Sequence, residues 1–170
     1  QGARNAGSYS ITPTGLTSGN YALTYQHGSL TINPKQLTAL YTGINKVYDA
    51  GTAATVSASS ADIIAGDTVQ FSQTAQFMDR HVGSAKPVLV AGISLSGDHA
   101  ANYSLVNTTA ATTADITPAT LTITAVNAEK TYDGTTAALG SPVVTGLLGS
   151  DTTGGLRQAY TDPNAGSGKT

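Results

Sequence analysis

Lys46-Val47-Tyr48-Asp49-Ala50-Gly51-Thr52-Ala53-Ala54 returns as Lys130-Thr131-Tyr132-Asp133-Gly134-Thr135-Thr136-Ala137-Ala138, a period of 84 residues. Self-similarity at a fixed spacing marks a tandem array of one supersecondary unit. The register extends outward on both sides. Pro34-Lys35-Gln36-Leu37-Thr38 answers Pro118-Ala119-Thr120-Leu121-Thr122, and Gly66-Asp67-Thr68 answers Ser150-Asp151-Thr152. Asp79–Lys86 answers Asp162–Lys169 at a spacing of 83. The N-terminal residues enter the same template midway: Asn5-Ala6-Gly7-Ser8 resembles Asn164-Ala165-Gly166-Ser167, and Asn20-Tyr21-Ala22-Leu23 matches Asn102-Tyr103-Ser104-Leu105. Leu30–Pro34 matches Ala114–Pro118. The frame therefore reads as the second half of one module (1–34), a complete module (35–118) and the first half of a further one (119–170). Such a cut out of phase leads us to expect either a structural boundary that differs from the sequence frame or self-association through the incomplete terminal modules.

The local pattern is strand and turn. Leu121-Thr122-Ile123-Thr124-Ala125-Val126 alternates apolar residues with Thr, the period-2 signature of a half-buried strand, as do Tyr9–Thr12, Tyr21–Tyr25 and Ser29–Ile32. Thr suits the solvent face because its β-branch favours extended backbone while its hydroxyl stays wet. Ser18-Gly19-Asn20, Gln26-His27-Gly28, Ala65-Gly66-Asp67, Ser96-Gly97-Asp98 and Asp133-Gly134 punctuate these runs as turns. Tyr21–Tyr25, His27-Gly28 and Ser29–Ile32 together read as a hairpin. No long window carries a helical period; Asp98–Asn102 offers at most one turn. The expectation is an all-β chain of tandem small antiparallel modules, each an immunoglobulin-like sandwich or a β-grasp-like sheet. Pro34 and Pro118 make short, stiff junctions, so the expected shape is an elongated rod.

Composition narrows the function. Charged residues are 11% of the chain and the net charge is −2, which gives no electrostatic footprint for nucleic acid. No apolar run is long enough to suggest membrane insertion. Hydrophobic content of 39%, periodically arranged, argues for a packed core rather than disorder. Cysteine is absent, which excludes thiol nucleophiles and thiolate metal sites and leaves packing and ladder hydrogen bonds to hold each module.

Taken together, these motifs resemble the YDG-type repeat of large bacterial surface and secreted proteins. The resemblance rests on the Lys-x-Tyr-Asp opening at Lys46 and Lys130, Gly-Asp-Thr-Val at Gly66–Val69, Val-Gly-Ser-Ala-Lys at Val82–Lys86, Asn102–Leu105 and the closing Asp115-Ile116-Thr117-Pro118. Residues Asn5 to Tyr21 resemble the related MBG-type module, without the Asp98–Ala101 insertion of the middle copy. The copy at 35–118 departs from the motif at Ala50, where the motif has Gly. The resemblance implies a stalk segment in filamentous-haemagglutinin-like adhesins, at the bacterial cell surface or secreted, whose partners are the neighbouring repeats. It implies no catalysis and no cofactor. The rival expectation is a ligand-binding module that recognises a glycan or host protein through loops or an edge strand.

The repeat motif residues Lys46, Tyr48, Asp49, Lys130, Tyr132 and Asp133 are the first candidates for a site, joined by Tyr21 and Tyr103, which recur after Asn. A Lys beside an Asp could feed an isopeptide cross-link. Two equal copies instead favour a structural corner, with the Tyr ring inward, its hydroxyl on backbone and the Asp making an Asx-type turn. Tyr21 and Tyr103 are read as core or corner residues rather than sugar platforms. His27, His81 and His99 share no ligand spacing and read as exposed loop histidines. Asp67, Asp98 and Asp151 lack a calcium ladder. Asn102-Tyr103-Ser104 and Asn107-Thr108-Thr109 are formal glycosylation sequons. Gly166-Ser167-Gly168-Lys169-Thr170 imitates the end of a phosphate loop, but Pro163 stands where the leading Gly is required.

Overall fold

Alternation of small polar and apolar residues sets nearly every element. A computed structural model describes residues 4–168. Lys169 and Thr170, the end of the imitation phosphate loop, lie outside the described residues, as do the first three residues of the 1–34 segment. The chain is all-β. Its strands are β1 (Gly7–Ile11), β2 (Gly28–Ile32), β3 (Lys35–Leu37), β4 (Leu40–Ile44), β5 (Lys46–Val47) and β6 (Thr55–Ser59). They continue as β7 (Gln70–Phe77), β8 (Gly83–Ser96), β9 (Tyr103–Leu105), β10 (Ala110–Thr117), β11 (Thr122–Thr124) and β12 (Val143–Thr145). A 3-10 turn at Ala100–Asn102 is the helical element among the described residues, where Asp98–Asn102 suggested one.

Two compact units share the chain. The first takes the described residues up to Ile44, with Ala53–Met78 and Ala85–Ala114. Here β1 pairs antiparallel with β2, β4 with β6, and β7 with β8, while β3 runs parallel to β9. β8 lies between β7 and β10 in the larger sheet. The core is made by the inward positions of these strands: Leu37, Phe77, Val88, Val90, Ile93, Tyr103 and Ala114 are all buried. Tyr41 from β4 and Val56 from β6 pack on the same cluster as Phe71 and Ala75 from β7 and Val90 and Ile93 from β8. Two small sheets thus close on one apolar interior, the layering of a sandwich.

β8 shows how the sequence keeps that interior apolar over a long strand. Val88 and Val90 point inward, then Ile93 and Leu95, so the alternation slips by one residue. Gly92, at φ 65°, is the extra residue, and the pairing jumps from Thr74↔Ala91 to Ser72↔Ser94. This is a β-bulge with glycine in the left-handed position, where a side chain would be strained. Gly43 serves close packing instead: a Cβ there would collide with the Thr113 carbonyl.

The second unit contains Asn45–Thr52, Asp79–Ser84 and the described residues from Asp115 onward. Ile116 and Thr117 pair in parallel with Lys46 and Val47, and β11 pairs antiparallel with β12. A bridge joins Ala137 to Ala159, the repeat counterpart of the Ala53–Gln76 bridge in the first unit. Tyr160 anchors this region through its hydroxyl, which donates to the Ala128 carbonyl at 2.6 Å. Gln158 does the same, accepting from the Val126 amide at 2.9 Å.

Two expectations need correction. The antiparallel expectation holds for β1/β2, β4/β6, β7/β8 and β11/β12, but β3/β9 and β5/β10 are parallel, because the opening strand of a module lies beside strands near its end. The hairpin of Tyr21–Ile32 does not form. β2 pairs with β1, and residues 12–27 connect them without strand structure. Ser18 Oγ accepts the Asn20 and Tyr21 amides at 3.2 Å, and His27 Nδ1 meets Thr12 Oγ1 at 3.1 Å. The two Ser18 bonds occupy backbone amides that a ladder would use.

Candidate functional site: the Lys-Tyr-Asp corner and the Asp turn

The two copies of the corner are built alike. Lys46 Nζ lies 2.7 Å from Asp49 Oδ1 and donates to the Gly51 carbonyl at 2.9 Å. Asp49 Oδ1 also accepts the Gly51 amide at 2.9 Å, closing an Asx-type turn. In the second copy Lys130 Nζ lies 2.7 Å from Asp133 Oδ1 and donates to the Thr135 carbonyl at 2.7 Å. The Thr135 amide and hydroxyl both donate to Asp133 Oδ1 at 2.9 Å. One ammonium thus ties a carboxylate and a carbonyl across five residues. The Lys130 ammonium and the donors of Thr135 hold the Asp133 carboxyl down to about 2. Lys46 and the Gly51 amide likewise lower that of Asp49.

The residue after each Asp must turn left. Ala50 has φ 63° and Gly134 has φ 76°, so Ala50 adopts the conformation of the motif glycine despite carrying a Cβ.

The two tyrosines differ. Tyr48 is half-buried and its hydroxyl donates to Asp151 Oδ2 at 2.7 Å, so its acceptor is a side chain rather than the expected backbone. Arg80 Nη2 holds the other oxygen, Asp151 Oδ1, at 3.3 Å. The bond to Asp151 raises the Tyr48 pKa above its ordinary value, since ionisation would set two anions side by side. An apolar hollow of about 200 Å³ surrounds the pair, lined among others by Val82, Pro118, Leu121, Leu147 and Leu148. Tyr132, in contrast, is 64% exposed, which corrects the inward packing expected of it.

Tyr103 and Tyr21 also part company. Tyr103 is buried, and its hydroxyl donates to Asp67 Oδ2 at 2.5 Å while accepting the Ile64 amide at 2.9 Å. Burial and the Asp67 bond both raise its pKa. Tyr21 is 78% exposed, outside any core or corner, because residues 12–27 present no Asp turn to receive it.

Sequence reasoning passed over several residues that hold this framework. His99 is no idle loop residue: its Nδ1 accepts the Thr68 amide at 2.9 Å, which steadies the Asp67 turn. Asn107, seen in the sequence only as a sequon, accepts the Ala39 amide and donates to the Ala39 carbonyl, both at 3.0 Å. Asn102 Oδ1 accepts the Ala6 amide at 2.8 Å. The repeat offered one usable signal, namely that Asp67 and Asp151 hold equivalent places, and each receives a tyrosine hydroxyl.

The YDG domain model matches residues 33–113 and again 117–170, well over half of the chain. The chain belongs to the YDG domain family. Residues 1–31 match the MBG domain of YGX type. No curated protein and no solved structure matches the chain. In YDG terms, the Tyr-Asp signature is a turn locked by its own lysine. Its tyrosine is what varies in environment from copy to copy. The chain is a repeat module by sequence and by the recurrence of its corner geometry.

Proposed function

We propose that the chain is a structural stalk segment of a repetitive bacterial adhesin, secreted or displayed at the cell surface, which projects a separate adhesive domain. The segments 1–34, 35–118 and 119–170 are parts of successive modules in this reading, and neighbouring repeats are its partners. One observation carries it: the most distinctive polar residues of the family are spent on the fold itself. Lys46 and Lys130 each close a turn, and Tyr48 is bonded to Asp151. None is left as a convergent reactive group, which catalysis requires. Membership of the YDG and MBG families supports the surface setting.

The experiment is a comparison of adhesion and reach. Deleting whole repeats from the parent protein is expected to shorten its projection from the cell while a purified tip domain keeps its binding. Direct, saturable binding of a glycan or host protein by this chain, lost on changing exposed loop residues, would replace the stalk with the ligand-binding alternative.

A further inference from the structure

Asp133-Gly134 is the one Asp-Gly pair in the sequence, and no Asn-Gly pair occurs. Such a bond has an intrinsic chemical weakness. The glycine nitrogen attacks the aspartate Cγ, a Cγ–O bond breaks, and that oxygen leaves as water with the amide proton, closing a succinimide. Water then adds to either carbonyl, giving back aspartate or leaving isoaspartate, whose main chain runs through Cγ. Glycine favours the attack because no side chain crowds its nitrogen and its backbone turns freely. The neutral acid is required, because water leaves a neutral carboxyl far more readily than oxide leaves a carboxylate.

The turn exposes this bond and at the same time restrains its carboxyl. Gly134 holds φ 76°, and a Cβ there would meet nothing within 4 Å, so the bond lies open to water. Asp133 Oδ1, however, is taken by three donors: Lys130 Nζ at 2.7 Å, and the amide and hydroxyl of Thr135 at 2.9 Å. The ammonium is itself fixed. Its side chain is 15% exposed, it donates to the Thr135 carbonyl, and it lies 5.9 Å from the centre of the Tyr160 ring. Lys130 supplies the charge that bears on this carboxyl, which titrates at about 2 rather than 3.8. At any pH above both values its neutral form is scarcer by more than about tenfold.

The other copy meets the same hazard differently. Lys46 holds Asp49 at the same distance, but the next residue is Ala50, whose methyl crowds the attacking nitrogen. Ala50 bears the strain of φ 63° that glycine avoids. One copy carries a strained residue and the other a labile bond.

We propose that Asp133-Gly134 is a site of spontaneous isoaspartate formation, and that the Lys130 clamp holds it in check while the turn is folded. This chemistry belongs to the corner itself and stands whether or not the chain is a stalk. Conversion would add a carbon to the main chain and draw the carboxylate off Lys130, so the product opens the turn that protected it.

Ageing the whole chain in warm neutral buffer tests it, with peptide mapping by electron-transfer fragmentation to separate isoaspartate from aspartate. The same chain in guanidinium chloride gives the unprotected rate. Folded wild type is expected to convert Asp133 at least about tenfold more slowly than the unfolded chain. Lys130→Met, its fold checked by circular dichroism, is expected to lose most of that protection. Ala50→Gly removes no contact of the clamp and creates a second Asp-Gly bond beside an intact Lys46. Its Asp49 is expected to convert as slowly as Asp133 does. Equal rates in folded and unfolded wild type, a folded Lys130→Met no faster than wild type, or Asp49 of Ala50→Gly converting at the unprotected rate would each overturn the proposal.

Discussion

At the scale of single residues, the left-handed turn after each Asp is the clearest lever. Ala50 sits at φ 63° where its repeat mate is Gly134 at φ 76°. An L-residue there costs about 1–2 kcal/mol, and glycine gives back about 0.5–1 kcal/mol in chain entropy. Ala50→Gly is therefore expected to stabilise the protein by up to about 1 kcal/mol, and Gly134→Ala to destabilise it by about 1 kcal/mol. Urea unfolding of the two variants checks both signs. The neighbouring carboxyl gives a pH prediction. Asp133 titrates at about 2 in the folded chain against 3.8 for an unperturbed group. Because the folded value is depressed, its contribution is complete above pH 3.8 and is lost as pH falls through about 2. Carbon-detected titration of the carboxyl should show this, and Lys130→Met should return Asp133 toward the ordinary carboxylate range. Little of this was legible from the motif alone: Lys, Tyr and Asp announced a corner, but the acceptor of the Tyr hydroxyl lies a whole repeat away in the sequence.

Among the elements, alternation was a better guide to where strands lie than to whether they are buried. β1, β2 and β11 form where Thr-spaced patterns placed them, but they are almost wholly exposed rather than half-buried, because no second layer covers them. The pattern failed at Tyr21–Tyr25, which alternates equally well yet pairs with nothing. Strand order was not legible either. Period 2 says which face is buried but not which strand lies alongside, and the parallel β3/β9 and β5/β10 pairs join residues far apart in the chain. The bulge in β8 shows a further limit, because Gly92 reads as a break until its role in restoring the phase of Ile93 is seen. Gly92→Ala is expected to destabilise the first unit by about 1–2 kcal/mol, since the bulge holds this residue at φ 65°, where an L-residue is strained. The substitution Gly43→Ala is expected to cost about 1–3 kcal/mol through the collision of its methyl with Thr113. Thermal unfolding of each variant measures the loss.

For the whole molecule, the distribution of buried side chains matters more than their number. Leu37, Val88, Val90, Phe77 and Ile93 all belong to the first unit, whereas among the described residues the second has Ile116 as its buried hydrophobic residue. Local opening follows apolar burial. Amide hydrogen exchange is thus expected to be slowest in β7, β8 and the first part of β10, and faster by orders of magnitude in β11 and β12. Equal protection across both would contradict this account. The tandem organisation itself was legible from the repeat, because it depends on sequence alone. The compact units were not, since they recombine residues from different repeats.

That recombination bears on how the chain comes to be folded. Ala39 is held by Asn107 and Asn45 by Asp115, spans of 68 and 70 residues, and Tyr48 reaches Asp151 across 103. A ribosome adding about 5–20 residues per second leaves the first strands of a module waiting several seconds for their partners. Long-range closure of this kind is slow in its own right. Each repeat therefore emerges as open chain and is completed only by what is made after it, so that folding trails synthesis by nearly a full period of the array.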